Sequence, residues 1–299
     1  MNTPQRRRAG FVLGVSLFAA TPVLARQEAL TVEQLAPQVR VIHGPPGGNI
    51  VVLTDTDRML LVDAQSASVG DSLLAVLRAT NNVPVRMVIS THYHEDHIGG
   101  NSSFRATGEI IGHDNLRTLA LVDSTIDELG WDKDPADADD LPTMTVASDT
   151  TIMFGTARVN LLTFDNAHTG SDVAVYLPSP NILHTGDILE VDAFPFVDWW
   201  GGGSLEGMIV AVDRLLTVAD DETQIVPGHG HVVDRGHLMK YRDMLVTVGD
   251  RVLQAIERGD DLDTAMDGGH ASEFMEGRGG VRAARRFVGV VYLGLSRGR

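Results

Sequence analysis

Between Thr91 and Gly100 the chain reads Thr-His-Tyr-His-Glu-Asp-His-Ile-Gly-Gly, which places three imidazoles and the Asp96 carboxylate within six positions. In an extended segment the side chains at i and i+2 point to the same side, so His92 and His94 can close on one metal ion. Asp96 and His97 follow where the chain must turn, and a turn lets them face a second ion. Three later loops each offer one more ligand at a strand end. They are His168 in Asp-Asn-Ala-His-Thr-Gly, Asp187 in His-Thr-Gly-Asp-Ile and His229 in Pro-Gly-His-Gly-His. Alone, His168 reads more readily as a turn residue and Asp187 is a weak signal. Together the four loops describe a nitrogen and oxygen donor set of the kind that holds two first-row divalent ions.

Composition narrows the chemistry further. The 299 residues contain no cysteine, which excludes disulfides, thiolate catalysis and cysteine metal ligation. A formal charge of −16 argues against nucleic acid as a partner, because phosphate binding relies on clustered Lys and Arg, and Lys133 and Lys240 are the lysines present. With 43% hydrophobic residues the chain can bury a sizeable core. Arg6, Arg7 and Arg8 precede an apolar run from Phe11 to Leu24 that ends in Val23-Leu24-Ala25, so residues 1–25 read as a cleaved secretory signal. The run is short for a membrane span. Export to the periplasm, or secretion, is expected, by either the general or the twin-arginine route, with no stable membrane span left after cleavage. Residues 26–299 are expected to form one domain with C-terminal helices.

The elements that must position these loops follow from periodicity. Strands are expected at Val39 to His43, Asn49 to Leu53, Met59 to Val62 and Val85 to Ile89, with a helix from Ser66 to Thr80. The histidine run leaves the C-terminal end of the Val85 strand, the usual place for ligands in an α/β sheet. Next come a strand at Glu109 to Ile111, a helix from Asp114 to Glu128 and an acidic loop from Trp131 to Pro142 that could overhang the site. A β-rich stretch runs from Met144 to His184. Helices are expected at Ser204 to Ala219, Arg235 to Arg258 and Gly280 to Leu295, with a short strand at Gln224 to Val226. The order suggests an α/β chain of two sheet-and-helix halves packed as four layers.

From about Val39 to Asp234 these residues resemble the metallo-β-lactamase superfamily, whose hallmark run matches His92-Tyr93-His94-Glu95-Asp96-His97 and whose later ligand loops match His168, Asp187 and His229 in order. The resemblance implies an αββα sandwich with the site along one edge of the two sheets. It also implies that His92, His94 and His168 hold one ion, that Asp96, His97 and His229 hold another, and that Asp187 bridges them. The ions would be Zn2+ in the first instance, with Fe or Mn as alternatives. A metal-bound hydroxide would then attack an ester, thioester, lactone or amide carbonyl, with Asp96 orienting it and relaying its proton. Asp63, at a strand end, is a candidate to accept a ligand imidazole N–H.

Fold does not select the substrate. The best-known zinc β-lactamases of the family place Cys or Ser where this chain has Asp187, whereas glyoxalase II-like and lactonase-like members use Asp, so the ligand set resembles the latter. Glu190 stands where one lactamase class has a Lys that pairs with the drug carboxylate, and an acid there would repel a carboxylate. The run Phe194 to Gly203 holds Phe194, Phe196, Trp199 and Trp200, an aromatic loop able to wall a pocket for a small-molecule substrate with an apolar part. Trp199 is expected to contribute to substrate binding. The alternatives are β-lactamase activity, an iron-dependent oxidoreductase of the same fold, and a non-catalytic metal-binding module. His184 is expected to hydrogen-bond in the core, His113 and His231 to flank the site, and His43, His237 and His270 to lie outside it.

Overall fold

The computed structural model describes residues 30–44, 47–126 and 131–297. The expected signal segment lies outside them. Two sheets face each other. The first has the order β1 (Thr31–Ala36), β2 (Val39–His43), β3 (Ile50–Thr54), β4 (Met59–Val62), β5 (Val85–Ile89), β6 (Glu109–His113) and β9 (Met144–Val146). Antiparallel pairing runs from β1 to β4 and parallel pairing from β4 to β9. The second sheet is β10 (Thr150–Phe154), β11 (Ala157–Phe164), β12 (Asp172–Leu177), β13 (Ile182–His184) and β14 (Gln224–Val226), with only the last pair parallel.

Period-2 alternation explains the layering. Val51 and Leu53 of β3 and Leu60 and Val62 of β4 turn inward against Val159, Leu161, Val173 and Val175 of the second sheet. Their neighbours Ile50, Val52, Met59 and Leu61 turn outward onto Leu73 and Leu77 of α1 (Gly70–Thr80). Sheets buried on both faces need helices on both outer sides. On the far side of the second sheet, α4 (Leu205–Val218), α5 (Arg235–Arg258) and α7 (Gly280–Arg297) supply that cover, with Leu215, Tyr241, Leu245 and Phe287 among the buried contacts. Ser204 caps α4 by accepting from the Gly207 N–H, and Asp234 caps α5 by accepting from the His237 N–H. The four-layer α/β sandwich is therefore the observed architecture.

One expected element is wrong. The helix expected from Asp114 to Glu128 is confined to α3 (Leu116–Ala120), after which the chain forms the hairpin β7 (Ser124–Ile126) and β8 (Trp131–Lys133). Leu116 and Ala120 are buried, but Leu121 and Val122 are 51% and 47% exposed, so the apolar stripe that would prolong the helix has nothing to pack on. Besides that hairpin, two further elements were not anticipated. They are the edge strand β1, mostly exposed and hence without a periodic signal, and the six-residue α6 (Leu262–Asp267). No helix among the described residues is long and apolar enough to cross a membrane.

Candidate metal centre

All seven residues named as candidate ligands come together at one edge of the sandwich. After β5 the backbone of Ser90 and Thr91 carries His92 inward, and His94, in extended conformation, precedes the single helical turn α2 (Glu95–Ile98) that presents Asp96 and His97. The Glu95 carboxylate accepts from the Ser66 hydroxyl at 2.6 Å and from the Ala67 N–H at 3.1 Å, tying that turn to the segment before α1. His168 lies between β11 and β12, in a loop closed by Thr169, whose N–H and hydroxyl both donate to buried Asp172. Asp187 follows β13 in a 3-10 turn, and His229 follows β14. Two glycines make the convergence sterically feasible. A Cβ on Gly48 would fall 2.4 Å from the His97 ring, and one on Gly228 would fall 1.8 Å from Asp187 Oδ1.

The ligand atoms form two groups, His92, His94, His168 and Asp187 in one and Asp96, His97 and His229 in the other, each compact enough to surround an ion. Asp187 stands between them: its Oδ1 is 3.2 Å from His97 Nε2, while its Oδ2 is 3.6, 3.8 and 3.9 Å from Nε2 of His229, His168 and His92. His92 Nε2 and Asp187 Oδ1 are buried without a hydrogen-bond partner. Buried polar atoms without partners are rare in folded proteins, and a cation shared by these donors would satisfy both. The donor set therefore fits divalent ions.

Four of the five imidazoles are steered from behind. The far nitrogens of His92, His94, His97 and His168 meet, respectively, the Thr91 hydroxyl at 3.0 Å, Asp198 Oδ2 at 3.0 Å, Asp63 Oδ2 at 2.8 Å and the Phe196 carbonyl at 2.7 Å. Such partners fix ring orientation and which nitrogen faces the ion. Asp63, fully buried at a positive φ of 65°, also accepts from the Thr91 N–H and hydroxyl, so the expectation for this residue holds. Asp198 was missed. It is buried, and it accepts from the Tyr93 hydroxyl and from the Gly201 N–H. His184 makes the expected core hydrogen bonds, to the Asn49 carbonyl and from the Gly186 N–H.

Ionisation separates the two groups. Burial holds His168 down at about 4 and His92 well below its usual value, so both are neutral at pH 7. Burial acts the same way on His229 and His97, yet Asp187 and Asp96 outweigh it, raising His229 to about 9 and His97 well above its ordinary value. Burial opposes charge on Asp96, but the neighbouring His97 and His229 hold its carboxyl at about 2. Glu190 behaves differently from expectation. Burial, and behind it the Asp187 charge, push its carboxyl up to about 8, so it is mostly uncharged near neutrality and a poor repeller of carboxylates.

A cavity of about 450 Å3 opens over His94 and Asp96, walled by Tyr93, Phe196, Lys133 and residues 134–137. The acidic loop thus does overhang the site. Lys133 hydrogen-bonds to the carbonyls of Leu119, Ala120 and Val122 and lies over the Tyr93 ring. The aromatic loop splits in two. Phe196 faces the cavity, whereas Trp199 packs away from it against Gly294 and Arg297 of α7. Trp199, expected to wall the pocket, therefore does not line the cavity, and Phe196 does. His231 pairs with Asp192 and His43 with Glu33, both at a groove beside His229.

Comparison with known proteins agrees with this geometry. The chain is 25% identical over 198 residues to a metallo-beta-lactamase type 2 from Bacillus cereus, covering 66% of this chain and 72% of that protein. Among solved structures it resembles a metallo-beta-lactamase from Pontibacter korlensis, with TM-score 0.58, 21% identity and coverage of 72% of this chain and 98% of that one. It also resembles the stereoselective inverting sec-alkylsulfatase Pisa1 from Pseudomonas sp., with TM-score 0.66 and 15% identity, over 89% of this chain but only 50% of that longer one. The profile of the metallo-beta-lactamase superfamily matches residues 43–248, a span that contains every residue of both ligand groups, and the chain belongs to that superfamily.

Proposed function

We propose that this chain is an exported dinuclear metal-dependent hydrolase acting on an ester, thioester, lactone or amide carbonyl. The observation that carries the reading is Asp187, whose two carboxylate oxygens face both ligand groups at 3.2 to 3.9 Å. His92, His94 and His168 would hold one ion, Asp96, His97 and His229 the other, and Asp187 would bridge them, with zinc preferred for an all-nitrogen-and-oxygen set and iron or manganese as alternatives. When bound, such ions polarise a carbonyl oxygen and bring the pKa of a coordinated water down to about 7.

The remaining work falls to the chain's own side chains. Asp96 is about a third exposed at the cavity floor and anionic, placed to accept a hydrogen bond from the attacking water and to pass a proton toward the leaving group. Asp198 and Asp63 hold His94 and His97 in one orientation each. Phe196 and Tyr93 give the substrate an apolar wall, and the loop at 134–137 limits water access from above.

The Asp187 carboxylate, in place of Cys or Ser, supports a glyoxalase II-like or lactonase-like substrate class. A second reading, β-lactam hydrolysis as main or side activity, is favoured by the likeness to the Bacillus cereus enzyme. A panel of lactone, thioester, phosphodiester and β-lactam substrates, run on metal-loaded protein beside Asp96→Asn, separates the two. The reading fails if the variant keeps full activity, or if no substrate turns over. Metal analysis of the isolated protein distinguishes a zinc hydrolase from an iron enzyme of the same fold.

A further inference from the structure

A second hollow of about 350 Å3 lies on the other side of the aromatic loop, between Phe194, Pro195 and Phe196 and the start of α7, where it meets Phe287, Arg278 and Arg286. Phe196 lines this hollow and the cavity over the metal ligands alike. Its ring centroid is 6.2 Å from that of His94 and 6.3 Å from that of His168. One side chain therefore separates the candidate centre from an apolar trough, whose base is Phe194 stacked on Phe287 at 5.2 Å.

The rim of that trough carries two arginines, Arg278 and Arg286, beside one carboxylate, Asp192, in a chain of net charge −16. Arg214, Arg242, Arg251, Arg258 and Arg285 each pair with a carboxylate. Arg278 and Arg286 have no such partner among the described residues. Arg278 donates through Nη1 to the Phe274 carbonyl, and its Nε is buried without a partner. Asp192, the carboxylate lining this hollow, is engaged by His231 at 2.9 Å. A guanidinium that is partly desolvated and left with spare donors is suited to bind an oxyanion, because paired N–H···O bonds to such a group are strong and directional.

We propose that the trough is a substrate subsite for an apolar chain ending in an oxyanion: the chain crosses Phe196 and lies along Phe194 and Phe287, and the anionic end meets Arg278 and Arg286. Placing the scissile bond of the same molecule at the His94 side rests on the hydrolase reading, whereas occupancy of the trough does not. The substrate class then narrows to an anionic amphiphile, a carbonyl compound with an acid at the far end of a short alkyl or aryl arm.

The test is calorimetric titration of the full-length, metal-loaded protein with octane-1-sulfonate, octanoate and 1-octanol. Neither anion can be hydrolysed, so binding is read apart from turnover, and comparing the two shows which headgroup is preferred. The anions should bind at least about tenfold more tightly than the alcohol, and Arg286→Gln, at an exposed position, should erase most of that advantage. Arg278→Gln should do the same. Arg282→Gln, on the outer face of α7 beside Leu262 and Met266, should leave it intact. Equal affinity for alcohol and anions, or an anion preference that survives Arg278→Gln with Arg286→Gln, overturns the subsite. Anion binding that depends on both arginines, in a protein that hydrolyses no ester, overturns the hydrolase reading and leaves the subsite standing.

Discussion

The two groups of candidate ligands meet at Asp187 but are built differently. Around His92, His94 and His168 the imidazoles are 1%, 11% and 1% exposed, each has a hydrogen-bond partner behind it, and burial keeps His92 and His168 neutral. Around Asp96, His97 and His229 only His97 is so enclosed. Asp96 and His229 are 33% and 30% exposed, and no described residue hydrogen-bonds the far nitrogen of His229. The first group is a buried, preformed socket in which His92 and His168 need shed no proton to take up an ion. The second is assembled from one fixed ring and two side chains at the cavity floor, and mutual charge holds it together. Such a contrast predicts tight, nearly pH-independent loading of one ion and weaker, proton-linked loading of the other.

The largest expected effect comes from removing what the groups share. Asp187→Ala should lower hydrolysis by roughly a thousandfold or more and reduce bound metal in both groups, as read by kinetics and elemental analysis on one preparation. Retention of a full complement of metal would show that Asp187 is not the bridge. A smaller effect should separate the groups by the carboxylates behind them. Asp198→Asn should weaken the first ion and Asp63→Asn the second, each by about 10–100-fold, the usual cost of losing such a partner. If both variants lose the same ion, the division between the groups is wrong.

The pH dependence sharpens the same contrast. His229, at about 9 against an ordinary 6.5, is protonated at pH 7 and must release that proton to bind metal, so affinity for the second ion should climb as pH rises from about 6.5 toward 9. His168, at about 4, is already neutral there, so the first ion should gain little over that interval. Titrations in buffers of different ionisation enthalpy count the protons released, and equal counts for both ions would refute the assignment.

The smallest effects concern the aromatic loop. Phe196→Ala should raise KM with little change in folding. Trp199→Ala should leave KM unchanged and cost about 2 kcal/mol of stability, because that ring packs on α7.

The same contrast shows what could be read from residue order. Ligands near strand ends were visible because the strands carry unmistakable β-branched runs and His92, His168, Asp187 and His229 each lie within four residues of the end of one. Asp198 was invisible. It is a lone acid among aromatics and glycines, about a hundred positions from His94, and only the folding of its loop onto Tyr93 and Gly201 gives it a role. Trp199 failed for a related reason: an aromatic beside a site can face either way, and the approach of α7 decides it. The helix expected from Asp114 to Glu128 failed because propensity cannot sustain a helix where packing ends at Ala120.

The central claim is a pair of ions shared by the two groups, and the most direct measurement counts them. Native mass spectrometry and elemental analysis of the wild-type chain beside His229→Ala, each assayed for hydrolysis, should find two ions per chain in the first and one in the second, with hydrolysis lost alongside the second ion. A wild-type chain that saturates at one ion, or metal-free protein that hydrolyses at the full rate, would contradict it.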